Sequence, residues 1–580
     1  MHTIRRISFA LFATAALTGI SYAVGVIGIS PASHSLTSAR NTQITITFDA
    51  AMDPATINAS NISIFGHWSG VALGTFQLEA GNTRVRFTPT TLFNAGEWVL
   101  ASISKNVRTQ AGQTLPQGYA WTFWIKPSVG TIVLAEIQRI PVRRTGEGWI
   151  QTYGAHGGDL DKDGFSDFFV PNERSNDCRV FLNDRSGNYS SFTVHPIPNG
   201  SRPSTNESAD FNSDGNLDIA VGNSAGDSIT VFLGNGTGGF LSIRNYQAAQ
   251  QVRGLAVADF DGDGDADIVT ANRNGNNIAL LLNNGNGTFA PRTTIDANGV
   301  GETACATADA NGDGILDLFV GCYSSSEMSL LLGNGTGGFT FSSKVSVGGS
   351  SPWMIAVGDV NGDGRVDVVS ANAGSANASV IFGNGTGGLS AATTYAAASF
   401  PIAIDLGDID GDGDLDLMTS NYTGRNWTYW ENNGAGVFGN RRTLAAAQAG
   451  SCATFHDRDN DGDLDMTGID EEADLIFLFR NGGATSVTFD PKPTEFGLRQ
   501  NYPNPFNPTT RIPFTLRTTG FVSLKVYDQL GREVATLVNN VVPAGEHESE
   551  FDASNVPSGI YSYRLIAGER RETKRMVVIK

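Results

Sequence analysis

DFDGDGDADIVTAN, residues 259–272, decides the fold. It places an acid at Asp259, Asp261, Asp263 and Asp267, turns at Gly264, and then runs into a short apolar stretch. Acids at alternate positions followed by a β-branched run read as a ligand loop feeding a strand. The same pattern, Asp-x-Asp/Asn-x-Asp-Gly-x-x-Asp, begins at Asp159, Asp210, Asp259, Asp309, Asp359, Asp408 and Asp457, with successive spacings of 51, 49, 50, 50, 49 and 49 residues. The stretch after each loop recurs too. A strand such as Asp267 to Ala271 is followed by a polar turn, a second strand such as Ile278 to Leu282, and a Gly-rich hairpin. That hairpin is GNGTGGF at 234–240 and again at 333–339.

Four short strands in a period of about 50 residues match one propeller blade. Gly and Asn interrupt the repeats too often for helices. A linear β-roll would carry a nonapeptide period, and an open array of seven sheets would leave edges that ring closure removes. The sequence therefore predicts an all-β protein with a seven-bladed β-propeller. The strand that completes the last blade is left open between residues 131–141 and Val487 to Phe489.

Within each loop the positions have separate duties. Position 1 is Asp159, Asp210, Asp259, Asp309, Asp359, Asp408 and Asp457; position 3 is Asp161, Asn212, Asp261, Asn311, Asn361, Asp410 and Asp459. Position 5 is Asp163, Asp214, Asp263, Asp313, Asp363, Asp412 and Asp461; position 9 is Asp167, Asp218, Asp267, Asp317, Asp367, Asp416 and Asp465. Position 7 varies freely (Phe165, Asn216, Asp265, Ile315, Arg365, Asp414, Asp463), as a residue serving through its backbone carbonyl can. An all-oxygen donor set suits Ca²⁺, which takes six to eight oxygens, and offers nothing to metals that prefer Cys or His. Carboxylates this close repel by roughly 4 kcal/mol per pair at 4 Å and an effective dielectric near 20, so the loops are expected to hold up to seven structural Ca²⁺. The last acid stands at position 9 and a strand comes after it, so an EF-hand is excluded. The repeats, over about 150–490, resemble the FG-GAP or VCBS repeats of integrin-α-like propellers.

The formal net charge is −19, which argues against nucleic acid as a partner; seven Ca²⁺ would offset most of it. Arg5 and Arg6, the apolar run Ile7 to Ile20 and Ser21-Tyr22-Ala23 form a secretory signal, residues 1–23. Residues 26–126 alternate apolar and polar positions, and ITFDAAMDPATI at 46–57, RFTP at 86–89 and WTFWI at 121–125 resemble an SbsA-type Ig-like β-sandwich, which would serve as a spacer in preference to a binding module. The propeller is assigned 131–490. Residues 491–580 carry NYPNPFNPTT at 501–510, Tyr527-Asp528, Gly531, Gly559-Ile560-Tyr561 and Lys574-Arg575-Met576-Val577. These resemble the C-terminal sorting domain of type IX secretion, a second Ig-like sandwich. The resemblance implies that the secretion machinery is a partner and that the destination is the outer surface of a Gram-negative cell or the medium.

No His-Glu-x-x-His and no Walker motif occurs, and the protein is expected not to be an enzyme. The favoured function is adhesion or binding of an extracellular glycan or protein. The alternatives are a polysaccharide-active lyase or hydrolase with a carboxylate pair in the central channel, and a purely structural envelope protein. Tyr422, Arg425, Trp427, Tyr429 and Trp430 of blade six suit a ligand contact, unless Trp427 and Trp430 pack between blades. His156 and His456 adjoin loops and read as structural. Cys305 and Cys322 flank one loop and are a candidate disulfide in an oxidising compartment; Cys178 and Cys452 have no clear partner.

Overall fold

The computed structural model describes residues 24–197, 201–482, 497–516, 520–542, 545–568 and 570–579. The signal segment 1–23 and the candidate closing strand at 487–489 lie outside them. Two compact units divide the chain, residues 1–483 and 484–580.

The first unit holds the Ig-like domain and the propeller. The Ig-like domain is a sandwich of two four-stranded sheets. One runs in the order Val26–Ser30, Ile44–Phe48, Arg84–Pro89, Gly74–Glu79, and the other Gly70–Val71, Ile62–Gly66, Trp98–Ile103, Tyr119–Trp124. Alternation along Ile44–Phe48 sends Ile44, Ile46 and Phe48 inward, where they meet Phe87, Val99, Trp121 and Phe123.

Seven four-stranded antiparallel sheets come next, numbered as blades one to seven by their loops, from Asp159 to Asp457. Blade three is typical: Val252–Ala258, Asp267–Asn272, Asn277–Leu281 and Thr293–Ile295 pair in chain order. Its second strand is buried along its whole length, as a strand with sheet faces packed on both sides must be. Blade seven takes its outer strand from the start of the repeat region. Ala135–Pro141 pairs with Leu475–Arg480, Ile140 lying opposite Ile476, and this settles the open choice of closing strand. A repeated bond ties the ring together. Asn283 of blade three donates its amide to the Phe211 carbonyl of blade two at 2.8 Å. Asn183 of blade one donates in the same way to the Arg458 carbonyl of blade seven at 3.1 Å.

The second unit is another two-sheet sandwich. Gly497–Leu498, Thr509–Leu516 and Gly545–Asp552 form one sheet, and Glu533–Val542, Gly520–Tyr527, Gly559–Ala567 and Arg570–Val578 the other. Val522, Leu524, Val526, Tyr563 and Leu565 fill its core.

Candidate metal loops and the channel

Each acidic loop joins the first strand of its blade to the second. In blade three, Asp259 Oδ1 accepts from Gly262 N at 2.7 Å and from Asp263 N at 3.1 Å, and Oδ2 accepts from Gly264 N at 2.8 Å. Gly264 has φ +105°, a backbone region closed to most other residues. Asp267, at position 9, accepts from Phe260 N at 3.0 Å and from Asn283 N at 2.8 Å, tying the loop to the end of the third strand. The same clamp recurs at Asp167, Asp218, Asp317, Asp367 and Asp416. Position 9 is thus a structural clamp as well as a candidate ligand, with lone pairs left for an ion.

Four groups bring carboxylate oxygens within 4.8 Å of one another: Asp159, Asp161 and Asp167; Asp259, Asp261 and Asp263; Asp408, Asp410 and Asp416; Asp457, Asp459 and Asp461. These are the blades with Asp at position 3. Where Asn stands there, in blades two and four, its amide instead donates to the position-5 acid, Asn212 to Asp214 at 3.0 Å and Asn311 to Asp313 at 2.9 Å. Burial, ahead of neighbouring acids, pushes Asp259 and Asp408 up to about 7 and Asp267 and Asp416 up to about 9. Buried oxygens of Asp408, Asp414, Asp457, Asp459 and Asp463 have no hydrogen-bond partner. Orphaned buried carboxylate oxygens in an all-oxygen setting fit a hard cation such as Ca²⁺. Position-7 side chains lie against the Gly-rich hairpin, and a Cβ on Gly285 would come within 2.6 Å of Asp265.

Blade seven departs from the pattern in a way the motif conceals. At position 2, where the other blades carry Leu160, Phe211, Phe260, Ala310, Val360 and Ile409, it carries Arg458. Arg458 is buried, 3.2 Å from Asp459 and 3.1 Å from Asp465, and Arg480 reaches Asp461 at 2.8 Å. Two guanidiniums already countercharge this loop.

The Ig-like domain is packed against the propeller. It docks on the face that carries the loops. Lys105 N donates to Gly262 O at 2.8 Å, Ala120 N to Gly314 O at 2.7 Å, and Asp159 N to Trp68 O at 2.9 Å; just past the domain, Ser128 N donates to Gly462 O at 2.7 Å. Trp68 meets His456 edge-on, and His67 meets His156 in the same way. Burial lowers His156 to about 4 and His456 to about 3, so both are neutral packing groups. Loop Gly carbonyls accept most of these bonds, and no side-chain motif announces them.

Between this domain and the inner strands lies a cavity of about 240 Å³, lined by Trp68, Trp98, Leu255, Met354 and Ile404, with Glu207, Asp405 and Cys305 among the polar groups. At the other mouth, Trp353 Nε1 of blade five donates to the Tyr153 hydroxyl of blade one at 3.0 Å, crossing the channel.

Blade six resolves toward packing. Trp427 and Trp430 are buried, Trp427 Nε1 donating to Cys452 O at 3.0 Å. Tyr422 is half-buried and bonds Glu472 at 2.5 Å, while Arg425 is exposed. All four cysteines are free thiols. Cys305 lies opposite Val320, and a register shift between Glu302 and Ala304 places Cys322 opposite Glu302, so the candidate disulfide does not form.

A closed ring of four-stranded blades with an acidic loop in each defines a repeat-built β-propeller. The chain belongs to the FG-GAP-like repeat family, whose model matches residues 159–221, 210–270, 259–320, 309–370, 359–419 and 408–468. A bacterial Ig-like domain matches 21–124, and a secretion system C-terminal sorting domain matches 500–580. The sorting domain marks the protein for export to the cell surface or the medium. Among the described residues no helix is long and apolar enough to cross a membrane. No curated protein matches the chain. Similar solved structures include a functionally unknown protein from Desulfotomaculum acetoxidans, at 12% identity over 66% of this chain and 98% of that one, TM-score 0.37. A fungal alcohol oxidase in complex with copper is 13% identical over 78% of this chain and 100% of its own, TM-score 0.40. The Dos1 propeller is 12% identical over 60% and 95%, TM-score 0.35. These likenesses carry no argument about function.

Proposed function

We propose that this exported protein is a calcium-braced propeller that binds an extracellular glycan or protein on the face opposite its acidic loops. The observation that carries this reading is the docking of the Ig-like domain. It covers loops of blades one, three, four and seven and leaves the turns of the opposite face free. Those turns differ from blade to blade, as at Asn172 to Asp177, Asn272 to Asn277 and Asn421 to Asn426, and variable turns on a rigid scaffold are where partner choice resides. Calcium in the loops would make metal-binding free energy part of folding free energy. The acids of positions 1, 3, 5 and 9 and the carbonyls of position 7 are the proposed ligands.

Binding is favoured over catalysis because the channel acids Glu207 and Asp405 face a cavity with the Ig-like domain at one end, while the Trp353–Tyr153 bond crosses the other mouth. A polymer entering there would have to break that bond. The test is an array of glycans and matrix proteins probed with the mature chain in calcium and in chelator. Calcium-dependent capture of a defined ligand supports the reading. An intact, calcium-loaded fold that captures nothing points to a structural role.

A further inference from the structure

At the mouth opposite the loops, blades repeat two positions: the start of the first strand and the residue after the second. Tyr153, Arg253 and Trp353 occupy the former; Arg273 and Tyr323 occupy the latter. Arg253 stands 5.6 Å from the Tyr153 ring centroid and 5.7 Å from that of Trp353, and Glu173 holds it at 2.9 Å. Arg273 lies 3.6 Å over the Tyr323 ring and 5.2 Å from Trp353. Tyr323 and Trp353 themselves meet edge-on at 5.6 Å. Arg273, Tyr323 and Trp353 are all half-buried. The two arginines differ in one respect. Arg253 has its carboxylate, whereas Arg273 has no ion pair among the described residues.

We propose that this mouth binds a sugar carboxylate, such as a uronate unit of an acidic glycan. Trp353 would receive the apolar face of the sugar ring, and Arg273, held over the Tyr323 ring, would take the carboxylate. A guanidinium stacked on an aromatic ring is fixed in plane with its N–H edge available, the geometry that grips a carboxylate by two parallel bonds. A cationic ligand is disfavoured because Arg253 and Arg273 already lie over these rings. One aromatic face beside a single cation without an ion pair suits a ring-shaped monoanion better than an extended acidic peptide. The inference rests on the binding reading above and assigns that reading a place and a ligand class.

The mature chain, calcium-loaded, is titrated with oligogalacturonate and with its methyl ester, followed by tryptophan fluorescence and calorimetry. The acid is expected to bind at least about tenfold more tightly than the ester, the worth of a charged hydrogen-bonded pair. Arg273→Gln should bring the acid down to the level of the ester, with an unchanged melting temperature, while Lys344→Gln on an outer strand changes nothing. Equal affinity for acid and ester overturns the proposal, as does full binding by Arg273→Gln. Absence of uronate binding by the folded chain overturns it too. If the array then yields a neutral glycan or a protein whose capture survives Arg273→Gln, only this site is lost. If the array yields nothing, the broader reading falls with it.

Discussion

Lys105 of the Ig-like domain donates Nζ–H to the main-chain oxygen of Asp261 at 2.7 Å, with its ammonium 4.0 Å from Asp261 Oδ1. Asp261 is position 3 of the blade-three loop, so the docked domain grips the segment that would wrap the ion. Ser104 Oγ and Asn106 Nδ2 hold the Asp263 carbonyl beside it, at 2.8 and 3.1 Å. An ion bound by this loop and the docked domain would therefore share a backbone. Chelation should lower the melting temperature of propeller and Ig-like domain together, in one calorimetric transition. Lys105→Met should cost about 1 kcal/mol in calcium, a charged hydrogen bond discounted for its partial exposure, and much less in chelator. Two separate transitions, only one of them sensitive to calcium, would show the coupling to be absent.

The loops should not be equal. Calcium affinity rises with the number of charged ligands, and an Asn loop offers three ligand acids where an Asp loop offers four. Blades two, four and five should therefore release their ions first as chelator is added. Asn311→Asp should tighten one site, by roughly tenfold for one added charge. Blade seven should be weak for a different reason, since Arg458 and Arg480 already neutralise its acids. Arg458→Leu, which restores the residue type of Leu160, should raise the number of tight sites by one in calorimetric titration. An unchanged count would refute the assigned role of Arg458.

The sequence carried the repeated parts and missed the unique ones. Seven copies of one loop made the ring, the face that bears the acids and the candidate ligand positions legible, because a period averages out local ambiguity. The closing strand was not legible: Ala135–Pro141 appears once, and nothing local distinguishes its pairing with Leu475–Arg480 from that of another short apolar run. The candidate disulfide failed on the hairpin register, which sets Cys305 opposite Val320 and leaves Cys322 two residues further along the partner strand, a pairing that spacing alone does not specify. The docking of the Ig-like domain was invisible because carbonyls of Gly262 and Gly314 accept its bonds. Arg458 was in plain view at a position the motif leaves blank, and comparison of position 2 across the seven copies would have found it.

Glu207 gives the fold a pH dependence of its own. It lines the channel cavity, and burial, followed by the charge of Asp405, raises its carboxyl to about 8. Asp405 is itself raised to about 6 by burial, and the Cys305 thiol, also on the cavity, is pushed up by burial. Unfolded, Glu207 titrates near 4.5. Between these values the folded chain holds a proton that the unfolded chain has released. The stability contributed is complete below the unfolded value and is lost as pH rises through about 8, at a rate approaching about 1.4 kcal/mol for each pH unit in that interval. In saturating calcium the melting temperature should fall from about pH 5 to about pH 8 more steeply for the native chain than for Glu207→Gln. Parallel curves would mean that water in the cavity solvates the carboxylate.

Trp427 and Gly468 form a matched pair across blades six and seven. The Trp427 indole is fully buried, 5.2 Å from the Phe477 ring and 5.6 Å from that of Phe479. A Cβ on Gly468 would lie 2.6 Å from that indole, so the large residue requires the absent side chain. Gly468→Ala alone should cost about 1–3 kcal/mol through overpacking. Trp427→Phe alone should destabilise by a similar amount through lost contacts and an unpaired Cys452 carbonyl. Together they should cost less than the sum, because the smaller ring makes room for the new methyl group, a coupling that a double-mutant cycle reads directly. Strict additivity in denaturant unfolding would mean that the glycine is required by the backbone and not by the indole. Gly468 has no positive φ, so the backbone makes no such demand and the space beside Trp427 is what excludes a side chain.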